Sequence, residues 1–326
     1  MSLSVTTLVD YVIENEDLLV TKSLFSPKTS EIINSQGNVM VGVKFAEQIN
    51  ILATDAIFQN GEGCTRTATG NTSITQRKVT IGDIVVVEDI CVKTLNKKYT
   101  SKMLANGSEG NTIPFEKEFT DLKSATIAEQ LEQAIWKGDT DSAGDSTLAR
   151  LDGFIKLIDV AAASVVGNAL ANGIGTVVTA AAGIVSTNVV AIVNAMWLGL
   201  PSRLQGKSDI RIFCGWDVFY KYVAAYTALN LFAFAPKGNE VGAEGGEIAI
   251  PGTNYILTAV HGLDGTNRLF AMRTSNMFAA VDLQNEEDEF TITPDQFNDY
   301  LRFKAHFKYG VNVAFPAEIV QFKFIG

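Results

Sequence analysis

FEKEFTDLKSATIAEQLEQAIWKGDTDSAGDSTLARLDGFIKLID, residues Phe115–Asp159, is the stretch that decides how this chain is read. Apolar residues at Phe115, Phe119, Leu122, Ala125, Ala128, Leu131 and Ile135 recur in steps of three and four. That spacing predicts one amphipathic helix, with Glu116, Asp121, Lys123, Glu129 and Glu132 turned to water. Pro114 suits a first helical turn, where a missing N–H costs nothing. Gly138 suits the left-handed position after the last turn. Such a helix spans about 33 Å, long for a globular protein. A polar loop, GDTDSAGD, and a second apolar run, LDGFIKLID, follow it.

Outward from this helix, the order of elements carries the information. Residues 1–45 read as an extended entry with a short helix around Thr7–Glu16 and little periodic pattern after it. INILATDAIFQ and ITQRKVTIGDIVVVEDI are β-prone runs joined by a polar Gly/Thr/Asn/Ser-rich tip near Thr69–Ser73, which predicts a hairpin. Its arms are too polar and too long to sit wholly in a core. The hairpin therefore lies over a neighbouring surface, projects from the body, or is an ordinary surface hairpin. Beyond the long helix come a helix from about Asn188, capped by Ser186 or Thr187 and ended near Pro201, and a strand DIRIFCG. The helix WDVFYKYVAAYTALN and a Gly-rich loop, PKGNEVGAEGG, precede strands YILTAV, RLFAMR and MFAAVDL. From Leu301 to Phe315 apolar and polar residues alternate, which predicts one long strand, or two joined near Gly310, with one face buried. Pro316 interrupts that ladder and EIVQFKF resumes it.

Composition bounds the function. At 326 residues the chain exceeds what one core comfortably serves, so two packed regions are expected. A net charge of −10, with 26 Lys and Arg in no dense run, argues against gripping nucleic acid through its phosphates. Cys64, Cys91 and Cys214 are widely spaced and fit a reducing cytoplasm, with a Cys64–Cys91 bond as the lesser alternative. The opening MSLSVTTLVDYVIENEDLL lacks the basic start of a signal peptide. Val160–Ser202 carries no charge, but repeated Gly, Asn, Ser and Thr break it. It reads as a loop, a buried Ala/Val element and a helix rather than a membrane span.

The search for chemistry yields no constellation. His261 and His306 stand apart from other ligand types, so each is read as structural. No nucleophile elbow, phosphate-binding glycine motif or dinucleotide fingerprint is present. Asp139, Asp141 and Asp145 lack the spacing and closing Glu of a calcium loop and are read as a solvated loop. Glu286, Glu287, Asp288 and Glu289 read as a solvated acidic turn. Trp136, Trp197 and Trp216 are anchors, and Cys214 is buried without a base. With no catalytic, cofactor or metal site, binding or assembly remains. An unpacked arm, a long polar hairpin and a glycine-rich loop all gain stability by lying on neighbours.

The blocks TDAIFQNGEGC, CVKTLNKKYT, IPFEKEFTDLKSATIAEQLEQAIWKGDT with LDGFIKLI, IPGTNYILTAVHGLDGTNRLFAMRTSN and RFKAHFKYGVNVAFPAEIVQFKF, in that order, resemble the major capsid protein of tailed double-stranded DNA phages, the Hong Kong 97 fold. They look most like those of phages infecting Bacteroidetes-type bacteria. The resemblance covers nearly the whole chain and implies an α+β fold. Residues 1–45 would be the N-terminal arm and 46–111 the extended β-hairpin loop with its connection. Residues 112–155 would be the peripheral domain with its spine helix, 156–285 the axial α/β domain, and 286–326 the peripheral domain's C-terminal strands. It further implies a non-enzymatic shell subunit forming pentamers and hexamers of an icosahedral head. That shell would enclose double-stranded DNA without sequence-specific contacts or a membrane. Portal and scaffolding or decoration proteins would be its partners, the host cytoplasm its place of assembly, and the virion its destination. Some family members crosslink a hairpin Lys to a neighbour's Asn. Lys78 is nearest that role, but no Asn or catalytic acid matches, so the crosslink is not carried over. Arg77 and Lys78 are expected to meet an acidic surface of the next subunit, Glu286, Glu287, Asp288 and Glu289. An encapsulin-like cargo compartment keeps the fold and changes the job. An enzyme with an unfamiliar site is the alternative from another class.

Overall fold

The computed structural model describes residues 23–24, 26–59, 69–91, 115–142, 147–161, 165–166, 183–229, 245–282, 289–294 and 300–323; at 115–118, 165–166 and 289 it describes the backbone alone. Its architecture is α+β. The predicted period-two run forms a single strand, β12 (Tyr300–Val313), with no break at Gly310. Along one edge β12 pairs antiparallel with β4 (Gly82–Cys91), from Tyr300↔Cys91 to Tyr309↔Gly82. Along the other it pairs first with β11 (Glu289–Pro294) and then with β10 (Met277–Val281). Short β1 (Val39–Val41) lies parallel to β10 and completes a five-stranded sheet.

Leu301, Phe303, Ala305 and Phe307 of β12 are buried, as the alternation requires. Beyond Phe307 both faces are covered, so Lys308 and Asn312 are buried despite their polarity. The cover is the base of the hairpin formed by β2 (Ala46–Thr54) and β3 (Thr72–Thr80), through Ile49 and Val79, with Val43 from the segment just before it. Gly310 serves this crossing: a Cβ there would meet Thr80 O at 2.3 Å.

The long helix is α2, Phe115–Lys137. Its buried seam runs Thr120, Ser124, Ile127, Leu131, Ile135; of the expected residues, Ala128, Leu131 and Ile135 are buried and Phe119 is half-buried. Leu122 and Ala125, expected on the apolar face, are exposed, and Glu132, expected in water, is buried. Small Thr and Ser side chains let the helix lie close on the sheet, where Phe119 meets Phe303 edge-on at 6.1 Å. Toward its C-terminal end α2 is enclosed on most sides. Trp136, 0% exposed, packs on Phe154, Phe213 and Phe270 at centroid distances of 5.3, 5.4 and 5.6 Å.

Gly138 does not take the left-handed conformation expected of it. Close approach explains it instead. A Cβ would lie 2.4 Å from Leu151 O, and Gly138 O accepts the N–H of Gly153 at 2.8 Å. A Cβ at Gly153 would in turn meet Trp136 O at 2.6 Å. The end of α2 and the start of α3 (Phe154–Val160) therefore touch backbone to backbone.

The entry segment is also more ordered than its sequence pattern suggests. Lys28–Ser35 forms a helix, α1, which buries Thr29, Ser30, Ile32 and Ile33 and is followed by left-handed Gly37. The reading of a helix at Thr7–Glu16 lies outside the described residues.

A second, six-stranded sheet has the order β5 (Val165–Val166), β13 (Val320–Lys323), β9 (Arg268–Arg273), β6 (Ile210–Cys214), β8 (Ile256–Ala259), β7 (Glu247–Ala249). Two helices, α4 (Val189–Leu198) and α5 (Trp216–Ala228), contribute to its core. The last strand corrects an expectation. EIVQFKF does not resume the ladder of β12: a single turn at Pro316–Glu318 redirects the chain, and β13 pairs with β9. The cap of α4 differs too. Asn188 stands at that position, and its amide ties the preceding loop through Val185 N–H and Gly183 O, both at 2.9 Å. Among the described residues no helix is long and apolar enough to cross a membrane; most of the Ala/Val element, like most of PKGNEVGAEGG, lies outside them.

Candidate assembly surface

In the β2–β3 hairpin, directly paired residues share a face, from Ala46↔Thr80 to Thr54↔Thr72. One face carries Ile49, Val79 and Arg77 onto the five-stranded sheet. There Arg77 donates to Asn312 Oδ1 at 3.3 Å, and Asn312 Nδ2 donates back to Lys78 O at 2.7 Å. The opposite face carries Lys78, the hydrogen-bonded pair Gln76 and Asn50 at 2.8 Å, and the apolar pair Leu52 and Ile74. Leu52 is 64% exposed and Ile74 69%; past the strand, Phe58 is 98% exposed. Among the described residues no core cluster includes these side chains: the nearest ends at Ile49 and Ile51.

This geometry separates two residues the sequence reading had joined. Arg77 is half-buried against its own strand β12, and Lys78 stands exposed on the other face. The expected acidic partners Glu286, Glu287 and Asp288 lie outside the described residues. Glu289 begins β11, with its backbone paired to His306.

A second exposed strip runs along β4 and β12, on the sheet face away from α2. Val85 and Val87 are exposed there, between two acid–base pairs. His306 Nε2 lies 2.5 Å from Asp83 Oδ1, and Arg302 holds Asp89 through two bonds of 2.7 and 2.9 Å. The Arg302 hydrogen bond keeps the Asp89 carboxyl below its usual pKa. His306 is thus structural in its setting.

The acidic loop is organised by a lysine. Asp139, Asp141 and Asp152 converge on Lys156 Nζ at 2.7, 2.8 and 2.7 Å. Desolvation works against that ammonium, yet the three carboxylates hold its pKa above the ordinary lysine value. Asp145 lies outside the described residues. His261 stacks on Trp216 and meets Asp264 at 2.9 Å, while Asp264 also accepts the N–H of Trp216 at the start of α5. Burial pushes the Cys214 thiol up, which disfavours a nucleophilic role. Cys64 lies outside the described residues. A cavity of about 240 Å³ is lined by Trp197, Gly206, Gly252, Thr253, Asn254 and Tyr255, a set without a general acid–base pair.

No family model matches the sequence, and no curated protein matches it. The fold does match solved structures. A chain of the satellite phage P4 procapsid, in a structure that includes the size determination protein Sid, superposes with a TM-score of 0.59 at 12% identity, covering 95% of this chain and 90% of that one. The capsid asymmetric unit of cyanophage A-1(L) gives 0.55 at 10% identity, with 91% and 93% covered. The capsid of the native GTA particle gives 0.54 at 12%, with 94% and 91% covered. At such identities the likeness concerns the fold, and the fold is that of phage capsid proteins of the Hong Kong 97 type.

Proposed function

We propose that this chain is the major capsid protein of a tailed phage, a structural subunit without catalytic activity. It assembles as pentamers and hexamers into an icosahedral head around double-stranded DNA. The observation that carries the reading is the β2–β3 hairpin. It exposes Leu52, Ile74 and Phe58 beyond the reach of either core, on a chain whose fold matches capsid chains over nine-tenths of its length. Exposed apolar side chains grouped on one projecting element favour a protein partner, and in a shell of identical subunits that partner is the next copy.

In this reading the hairpin is the extended loop, α2 the spine of a peripheral domain, and the six-stranded sheet the body of an axial domain. Residues 1–45 act as the arm. Because Arg77 is engaged at home, Lys78 is the hairpin cation that meets the neighbour, with Glu286–Glu289 as its acidic counterpart. A net charge of −10 suits an interior that packed DNA can slide past. Portal, scaffolding or decoration proteins, assembly in a host cytoplasm and a Bacteroidetes-type host extend the reading from sequence resemblance. Sedimentation of the double variant Leu52→Asp, Ile74→Asp tests it. The wild-type chain is expected to form particles or capsomer-sized rings and the variant to stay dispersed; unchanged assembly of the variant removes the hairpin from the account.

A further inference from the structure

Three consecutive residues of α1 reach three different parts of the fold. Lys28 Nζ bonds Gly245 O and lies 3.9 Å from Glu247 Oε1, at the β7 edge of the six-stranded sheet. Glu247 is held in turn by Arg211 of β6 at 2.5 Å. Thr29 is buried on α2: its N–H donates to Glu132 Oε2 at 3.0 Å and its hydroxyl to Glu132 Oε1 at 2.5 Å. Trp136 Nε1 donates to the same hydroxyl oxygen at 2.8 Å. Ser30 is buried against Tyr309 of β12, Oγ to Oη 2.6 Å, in the five-stranded sheet.

We propose that Lys28, Thr29 and Ser30 form a clasp that fixes the two sheets relative to each other across the C-terminal end of α2. Its central contact is saturated. The Thr29 hydroxyl accepts a hydrogen bond from the Trp136 N–H and donates one to Glu132, so every polar atom of that side chain and both carboxylate oxygens are used. A buried polar network of this kind is costly to leave half made, which makes it respond as a unit. The location suits the task. Trp136, one turn beyond Glu132, packs on Phe213 and Phe270 of the six-stranded sheet, and Gly262 leaves room for the Glu132 carbonyl, where a Cβ would come within 2.5 Å. Most of the joint is thus apolar contact, and the clasp supplies its direction.

Hydrogen exchange read by mass spectrometry on the full chain tests this, with wild type and variants in the same assembly state. Thr29→Val removes the hydroxyl, Ser30→Ala removes the tie to Tyr309, and Thr29→Ser keeps the hydroxyl. Thr29→Val is expected to speed exchange about tenfold in both Ile127–Lys137 and Glu247–Ala249, while Val189–Leu198 keeps its wild-type rate. Ser30→Ala should loosen the same two segments more weakly, and Thr29→Ser should leave them unchanged. Exchange that rises in α1 alone contradicts the clasp, because the contacts would then only anchor the arm. A rise spread equally over Val189–Leu198 also contradicts it, by assigning Thr29 to general stability. If Thr29→Val does not fold, Ser30→Ala decides by the same readout.

Discussion

The C-terminal half of α2 and the β2–β3 hairpin solve opposite problems with similar residues. Around Trp136 the chain closes on itself: a helix end, a turn and two sheets converge, and even a carboxylate is taken out of water. In the hairpin, an antiparallel pair of nine-residue strands covers the five-stranded sheet only at its base and leaves Leu52, Ile74 and Phe58 in solvent. The first region spends its apolar surface on folding. The second leaves it in solvent, and under the proposed function it serves association, so changes in the two should be separable: one lowers subunit stability, the other removes assembly.

In order of effect on the subunit, Trp136→Ala comes first. It empties the junction of α3, β6 and β9 and should cost about 3–5 kcal/mol in denaturant unfolding of dispersed subunits. Gly138→Ala comes next, since its Cβ would clash with backbone atoms of Leu151 and Ala134 that no rotamer change can move. Overpacking of this kind costs about 1–3 kcal/mol, and the glycine's conformational freedom is not what is lost.

Glu132 sharpens the contrast through pH. Burial raises its pKa in the folded state, against the hydrogen bonds from Thr29, which favour the ionised form. Nearby Lys28 of α1, His261 of the turn before β9 and Tyr309 of β12 are the other titratable groups around it. A carboxyl with a raised folded pKa favours the folded state while protonated. Its contribution declines as pH rises from the unfolded value, 4.5, through the folded one, and the cost is complete above that. Glu132→Gln removes the titration and should flatten that part of the pH profile, while its NH2 faces one of the two Thr29 donors and weakens that contact. Asp89, Asp139, Asp152 and Asp209 run the other way: their lowered pKa values add stability that is lost as pH falls below the ordinary carboxylate range. Unfolding curves of both proteins across acid and neutral pH check the two signs.

The hairpin substitutions come last in stability and first in assembly. Leu52→Asp with Ile74→Asp should move subunit stability by less than about 0.5 kcal/mol while abolishing particles. Lys78→Glu should leave stability unchanged and alter only the salt dependence of association, measured by light scattering across a salt series.

The sequence was legible where pattern and structure share one period. Alternation from Leu301 to Phe307 defined β12, and the steps of three and four defined the length of α2. It failed where the deciding partner was remote. The phase of the helix's first half was misjudged, at Leu122 and Ala125, because Thr120 and Ser124 count as polar locally, and only the sheet shows that small side chains are needed there. Glu132 looked solvated because its partner, Thr29, lies 103 positions away. The route of β13 depends on the redirecting turn at Pro316, and α1 on contacts its own periodicity does not announce. The hairpin was visible as strands, but the division of Arg77 inward and Lys78 outward is a matter of register, which the run ITQRKVT does not fix alone.

Electron microscopy of the purified full chain tests the central claim, that the surface withheld from folding is used for shell assembly. Closed hollow particles, or rings of five and six copies, are the predicted images. A monodisperse monomer at high protein concentration would contradict it.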